Sequence, residues 1–208
     1  GYQVGSGIIL GLPGQDRLSV ARDLILCGAE DYEMVSIGPF VPHPDTPLGQ
    51  PARNRGQTQA AATVLPSARS PDVRSTLNTI AVARLLAPMA HIPATTALGV
   101  VGRQDGRWRG QAARYLTTMG AICGDLQYFG DARYLALLAG ANVLMLDVTP
   151  WKYRGLYEIY PGKPGVDGDE LADSVSSAIR EISRLGMSVC LGRGDSAKAP
   201  WGAGRVIH

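Results

Sequence analysis

The sequence predicts an α/β fold in which helices cover a parallel sheet. Three observations lead to this prediction: 45% of the 208 residues are hydrophobic, which is enough for a substantial core; short apolar runs alternate with segments of helical periodicity; and the runs are apolar throughout, as is typical of parallel strands. About four strand–helix units follow one another, half the number in an eight-stranded barrel.

The first two units are the clearest. Residues 4–12 form a strand-like run that ends in a glycine-rich turn, and apolar residues then recur at helical spacing up to Ala29. The second strand begins at Met34 and breaks at Gly38, and helical periodicity returns only at residues 77–85.

The third and fourth units complete the predicted sheet. We expect a third unit that opens at residues 92–98 and closes in a helix over about residues 132–139, and a fourth unit with a strand over residues 142–146 and a helix over about residues 169–185. Residues 187–191 predict a final short strand.

Two insertions interrupt this alternation, at about residues 49–74 and 102–130. The first lacks a sustained period and predicts a surface segment, flexible or in contact with a partner. The second is richer in aromatic and apolar residues and could form a small helical excursion. Residues 1–166 therefore predict the main domain, and residues 167–208 a helix and tail that complete it.

Composition excludes several classes of protein. The formal net charge is only +2, so we expect neither nucleic acid nor membrane as a partner. Cys27, Cys123 and Cys190 lie far apart, which argues against a thiolate metal cage or a disulfide framework and for buried free thiols in a cytoplasmic protein. The chain begins without Met and without a signal segment, and we expect it to be a piece of something longer.

Candidate functional residues lie in the loops that follow the predicted strands, because such loops meet at one mouth of a parallel barrel. Gly11 and Gly14 allow either a close approach to a ligand or simply a tight turn. The second loop, residues 38–47, is stiffened by prolines and contains His43, for which no second ligand has metal spacing, so a structural hydrogen bond is favoured.

The third and fourth loops carry hydroxyl groups. Thr95 and Thr96 stand together at a predicted strand end, where Gly99 would help form a turn, and could hold a carboxylate or phosphate; hydrogen bonds to the backbone are the alternative. Tyr157 and Tyr160 are spaced to share a helical face, either lining a pocket or packing.

Taken together, the motifs of these loops resemble the HydE family of [FeFe] hydrogenase maturases, which are radical S-adenosylmethionine (SAM) enzymes. The matching stretches, in order, are Gly5-x-Gly7-(x)3-Gly11-Leu12-Pro13-Gly14-Gln15, Ile37-Gly38-Pro39-Phe40-Val41-Pro42-His43-Pro44-Asp45-Thr46-Pro47-Leu48, Ile92-Pro93-Ala94-Thr95-Thr96-Ala97, Ala139-Gly140-Ala141-Asn142-Val143 and Leu156-Tyr157-Glu158-Ile159-Tyr160-Pro161-Gly162-Lys163.

The resemblance implies the C-terminal half of a (β/α)8 TIM-type radical SAM barrel. It implies SAM and a 4Fe-4S cluster as cofactors, a 5'-deoxyadenosyl radical, and a cysteine-bound iron carbonyl cyanide complex as substrate, with other hydrogenase maturases as possible partners. By motif position, Met34 would lie near SAM. The residues that would line the substrate cavity are Pro39, Val41, Thr95, Thr96, Met145, Tyr157 and Tyr160.

The sequence also departs from the family pattern. The cluster-binding C-x-x-x-C-x-x-C loop, which belongs to the N-terminal half of such enzymes, is absent, so we expect this fragment alone to lack radical chemistry and metal ligands. The usual Pro-Asn after Met145 is replaced by Leu146 and Asp147. Second-cluster cysteines are also missing, with Pro164-Gly165-Val166 in their place.

Two alternatives remain open at this point. A related radical SAM mutase or synthase, such as methylornithine synthase or a biotin synthase relative, would share the barrel, although the Gly-Pro-Phe and Pro-Ala-Thr-Thr stretches fit the maturase better. A non-catalytic half-barrel that binds a partner or serves as a scaffold would use the two insertions as its interaction surface.

Overall fold

The computed structural model describes residues 2–49, 73–104, 108, 131–157, 159, 161, 170–190, 192, 194–196 and 198. Within these residues, four strands form one sheet: β1 (Gly5–Leu10), β2 (Met34–Pro39), β3 (Pro93–Ala94) and β4 (Val143–Leu144). The same part of the chain has six α-helices: α1 (Arg17–Ala29), α2 (Val73–Leu86), α3 (Thr96–Gln104), α4 (Ala132–Leu138), α5 (Trp151–Arg154) and α6 (Glu170–Arg184). A 3-10 turn covers Pro47–Gly49.

The sheet has the order β1-β2-β3-β4, and each neighbouring pair is parallel. Gly5 pairs with Met34 at one end of β1 and Leu10 with Pro39 at the other, whereas β3 and β4 each contribute only two paired residues. A parallel four-stranded sheet with helical crossovers confirms the predicted α/β class and is consistent with part of a TIM-type barrel.

Among the described residues, helices cover one face of this sheet. Ile8, Val35, Ile37 and Ala94 are buried together with apolar residues of α1, α2, α3 and α4. Because side chains alternate along a strand, Ile9, Met34 and Ser36 lie on the opposite face, which we call the open face. Ile9 is 54% exposed there, whereas Ile37 on the covered face is 0% exposed. The core therefore lies between the sheet and its helices.

The connection from β1 to α1 shows how local sequence ends a strand and starts a helix. Gly11 and Gly14 have φ values of 83° and 81°, in the left-handed region that favours glycine, which supports the turn interpretation of these residues. Asp16 caps α1 by accepting a hydrogen bond from the Ser19 backbone N–H, and the Ser19 hydroxyl accepts one from Asp16 N.

The third unit opens with a short strand. Pro93–Ala94 is strand, so Thr95 follows a strand end as expected, but α3 begins directly afterwards at Thr96 and was not predicted. Leu98 and Val100 are buried, and a buried apolar run is compatible with either a strand or a helix. Gly99 accordingly lies inside α3 and not in the expected turn.

Of the remaining predictions, some are confirmed, one is wrong and others lie outside the described residues. Helices α4 and α6 confirm the predicted helices over residues 132–139 and 169–185. The final strand is wrong for residues 187–190, which have no regular structure, while Leu191 lies outside the described residues. Most of both insertions, residues 50–72 and 105–130 apart from Trp108, and the boundary between residues 166 and 167 also lie outside them.

The described part of the tail contacts the start of the sheet. The Lys198 ammonium donates to the Asp31 carbonyl, the Asp31 carboxylate and the Tyr32 carbonyl, at 2.7, 2.5 and 2.6 Å. The Gln3 side chain hydrogen-bonds with Asp195 and with the backbone N–H of Ser196. Among the described helices, none has the length and apolar character that crossing a bilayer requires.

Candidate functional site

The C-terminal ends of the four strands meet at one edge of the sheet, where parallel barrels carry their ligand-binding groups. We call this edge the strand-end site and define it by Gly38, Thr95 and Met145. Gly38 follows the Ile37–Ala94 pair on β2, and Met145 follows β4 and donates its N–H to the Ala94 carbonyl at 3.3 Å. The register therefore brings predicted cavity residues from two different units together.

Thr95 supplies the most informative polar group of the site. The residue is only 9% exposed, and its Oγ1 is a buried atom without a hydrogen-bond partner. A Cβ placed on Gly38 would lie 3.1 Å from this oxygen, so Thr95 points to the same side of the sheet as position 38. A buried hydroxyl without a hydrogen-bond partner costs about 1–3 kcal/mol of stability. We therefore expect the Thr95 hydroxyl to have a function that offsets this cost.

Met145 is held in place by a charged pair. The residue is 42% exposed, and its carbonyl accepts a 2.5 Å hydrogen bond from Arg133 Nη1. Arg133 Nε and Nη2 in turn donate to Asp131 Oδ2 at 2.9 and 2.6 Å. Asp131 also accepts from the backbone N–H of Arg133 and so caps α4.

The electrostatics behind Met145 are those of a partly buried ion pair. The Arg133 and Asp131 side chains are 14% and 20% exposed. Burial raises the pKa of the neighbouring Tyr134 phenol, and the negative charge of Asp131 adds to this effect. Tyr134 therefore stays protonated at neutral pH and adds no charge beside the ion pair.

The other predicted cavity residues are spread more widely. Pro39 pairs with Leu10 and is buried on the covered face, as alternation from Ile37 requires. Val41 is half-buried in the loop after β2, and Thr96 is half-buried as the first residue of α3. Their roles in a cavity stay predictions.

The tyrosine pair is not described in full. Tyr157 is exposed and lies three residues beyond the end of α5, outside the described helices. Tyr160 lies outside the described residues.

Met34 lies at the opposite end of the sheet from Thr95 and Met145. It pairs with Gly5 at the start of β2 and forms a bridge with His91 before β3. Gly38 is four residue steps from Met34 along β2, which is about 13 Å at about 3.3 Å per step. The structure thus separates the predicted SAM contact from the strand-end site.

Two groups near the strand ends were missed from the sequence. The Gln15 carboxamide donates to the Ile9 carbonyl and accepts from Gly11 N, at 2.9 and 2.7 Å, as a neighbouring peptide group would. The Asp131–Arg133 pair was missed as well. An Asp directly before a helix is a recognisable N-cap signal and could have indicated Asp131, but no local pattern indicates that Arg133 reaches Met145.

His43 has the structural role that the sequence favoured. Its Nδ1 accepts a hydrogen bond from the backbone N–H of Asp45 at 3.2 Å, within the proline-rich loop. The loop is closed further by Thr46, whose N–H and hydroxyl both donate to the His43 carbonyl.

The described residues do not fit an iron-sulfur cluster. No group of three or more His, Cys, Asp or Glu side chains that could hold a metal occurs in this part of the chain. Cys27 is a buried free thiol, and burial raises its pKa away from the thiolate form that binds iron. Cys190 is exposed, which corrects its expected burial, and Cys123 lies outside the described residues.

No family model matches the chain. Comparison with curated proteins finds a relative, the [FeFe] hydrogenase maturase subunit HydE of Thermotoga maritima, which is 34% identical over 163 residues. The chain is a homologue of HydE over this stretch. The alignment covers 78% of the chain, so it extends well beyond the strand-end site.

The homology to HydE and the parallel sheet agree on the fold. The chain spans about a third of the length of its HydE relative, because the alignment covers 34% of that protein. The similarity therefore bears on a part of a HydE-like radical SAM protein, and the chemistry of the whole protein is a matter for proposal.

Proposed function

We propose that this chain provides the substrate-binding strand ends of a radical SAM enzyme similar to HydE, which acts on a cysteine-bound iron carbonyl cyanide precursor in hydrogenase cluster assembly. The observation that carries the proposal is the buried Thr95 hydroxyl without a partner, located at the C-terminal strand ends of a parallel sheet. The homology to a hydrogenase maturase supports the choice of substrate class.

The strand-end site supports this role through the chemistry of its groups. A threonine hydroxyl can donate one hydrogen bond to a carboxylate oxygen, and a bond to a charged acceptor is stronger than one to a neutral acceptor. The Thr95 Oγ1 has this donor capacity unused. A cysteine-bound substrate presents a carboxylate, so Thr95 is the group that we expect to hold that end of the substrate.

The cluster and SAM cleavage are not assigned to the described residues, which do not fit a cluster. Radical chemistry would require ligands outside them. Met34, expected near SAM from the resemblance, remains a proposal for a contact at the far end of the open face.

The direct test uses protein expressed from its complete reading frame. After anaerobic reconstitution with iron and sulfide, SAM and a strong reductant are added, and 5'-deoxyadenosine is quantified by liquid chromatography. Formation of 5'-deoxyadenosine together with a bound cluster is the expected result. A protein that binds no cluster and cleaves no SAM would contradict the proposal and favour a non-catalytic relative of the family.

The role proposed for Thr95 is tested separately, with L-cysteine as the probe that supplies a carboxylate. Thr95→Val replaces the hydroxyl by a methyl of similar size and should weaken L-cysteine binding by about 10- to 100-fold, since a hydrogen bond to a charged group is worth about 1.5–3 kcal/mol. Binding is measured by titration calorimetry.

The matched control for Thr95→Val is Thr79→Val. The Thr79 hydroxyl donates to the Ser75 carbonyl within α2, away from the strand ends, so this change should leave L-cysteine binding intact. If the Thr95→Val variant bound L-cysteine as tightly as the unchanged protein, the proposed role of Thr95 in substrate binding would be contradicted.

A further inference from the structure

We propose that the Asp131–Arg133 pair is a positioning device that sets the place of Met145 at the strand-end site and thereby controls ligand affinity. The inference rests on the proposed function, because it takes Met145 as part of a ligand-binding wall. The motifs of the resemblance do not include Asp131 or Arg133.

The first step is the early end of β3. In a parallel ladder the Met145 N–H and carbonyl both point towards β3, and the N–H donates to the Ala94 carbonyl. Since β3 ends at Ala94 and α3 begins at Thr96, no further strand residue runs beside the Met145 carbonyl. Arg133 Nη1 donates to this carbonyl at 2.5 Å and replaces the strand partner.

The second step is the fixed geometry of Arg133. Its Nε and Nη2 both bond to Asp131 Oδ2, and the backbone of Arg133 is bound to Asp131 Oδ1. A guanidinium can make these contacts and reach Met145 at the same time because its donors form a rigid fork. A lysine ammonium carries the charge but lacks that fork.

The third step is the fit of α3 against the pair. A Cβ on Gly99 would lie 3.1 Å from Asp131 Oδ1 and 3.2 Å from Arg133 Nε. Glycine at this position therefore lets α3 pass close to the ion pair. Since Thr96 begins the same helix, the pair links the start of α3 to the end of β4.

The experiment uses protein from the complete reading frame, without reconstitution and labelled with ¹³C at its methionine methyl groups. The Met145 signal is assigned with Met145→Leu and followed during titration with L-cysteine. We expect a saturable shift in the unchanged protein and an apparent Kd weakened by about 10-fold or more in Arg133→Lys, since small displacements of positioning groups have effects of this size.

The matched control for Arg133→Lys is Arg184→Lys. Arg184 also pairs with an acidic residue, Glu181, but its side chain is 62% exposed on α6. This control should bind L-cysteine as the unchanged protein does. For Arg133→Lys, a weaker affinity at an unchanged unfolding temperature separates positioning from a general loss of structure.

Gly99→Ala provides a second, independent variant. Alanine has the higher helix propensity, so without the ion pair this change would stabilise α3. If the pair positions Met145, the added methyl group displaces Asp131 and Arg133 and so weakens L-cysteine binding. This loss of affinity would occur although alanine favours the helical conformation of α3 more than glycine does. The inference would be overturned if both variants bound L-cysteine with the affinity of the unchanged protein. It would also be overturned if the Met145 signal of the unchanged protein did not shift when L-cysteine is added.

The outcomes distinguish this inference from the proposed function. Absence of 5'-deoxyadenosine after reconstitution, together with the expected Met145 behaviour, rejects the radical SAM proposal and leaves the positioning pair in place. Formation of 5'-deoxyadenosine with an L-cysteine affinity that neither variant changes rejects the positioning pair alone.

Discussion

Asp16 shows how a single residue couples helix formation to pH. The Ser19 backbone N–H and then the Ser19 side chain stabilise its carboxylate, which lowers its pKa from the ordinary value of 3.8. A lowered folded-state pKa contributes stability that is present above 3.8 and is lost as pH falls through the lower value.

The pH dependence of Asp16 can be isolated with Asp16→Asn. Asparagine caps helices about as well as aspartate but does not titrate, so the variant should unfold at a similar urea concentration at neutral pH. As pH falls below 3.8, the difference between the two proteins should change in favour of the variant. A difference that is independent of pH would contradict the role of the carboxylate.

At the same scale, the sequence indicated which residue types mattered but not their burial. The adjacent Thr95 and Thr96 were expected at a strand end, and Thr95 lies there. Which hydroxyl is buried depends on where β3 ends, and that depends on tertiary packing of α3. Arg133 could not be predicted for the same reason, since its contact with Met145 crosses from a helix to a strand end.

At the scale of elements, β1 and β2 present two faces with different consequences for stability. Ile37 lies on the covered face and Ile9 on the open face. Truncation of a buried isoleucine leaves a cavity, and Ile37→Ala should lower the free energy of unfolding by about 2–5 kcal/mol. Ile9→Ala should cost less than about 1 kcal/mol, because its side chain is already largely in water.

The comparison of Ile37→Ala with Ile9→Ala therefore tests the assignment of faces. Urea unfolding of the 208-residue chain, followed by circular dichroism, gives both free energies. Similar losses for the two variants would mean that the open face is covered in solution by something besides the described elements.

The elements themselves were predicted where a periodic pattern coincided with a turn signal. Helix α1 follows Gly14 and the Asp16 cap, and β2 begins at Met34 as expected. The end of the third strand was expected at Thr95 and Thr96, but the helix that begins at Thr96 was not predicted. Ala94 in the strand and Leu98 in the helix are both fully buried, and an apolar run without a polar face carries no period that would indicate where the strand ends and the helix begins.

At the scale of the whole molecule, the described elements leave the sheet with an open face and an outer edge along β1. Val4 and Leu10 direct their carbonyls towards β2, so Gly5, Gly7 and Ile9 direct their backbone groups away from it. The Gln15 side chain donates a hydrogen bond to the Ile9 carbonyl. Nearer the start of β1, at Gly5 and Gly7, no described strand pairs with this edge.

This edge and the open face predict self-association of the 208-residue chain, because unpaired strand edges and exposed apolar faces favour pairing with another chain. Light scattering after size exclusion should show species larger than a monomer, in proportions that rise with concentration. Ile9→Lys places a charge on the open face of the edge strand and should reduce association, whereas Ile25→Lys changes an exposed residue of α1 and should not. Equal effects of both lysines would attribute association to general surface hydrophobicity, and a monodisperse monomer that unfolds cooperatively would show that the edge is protected within the chain itself.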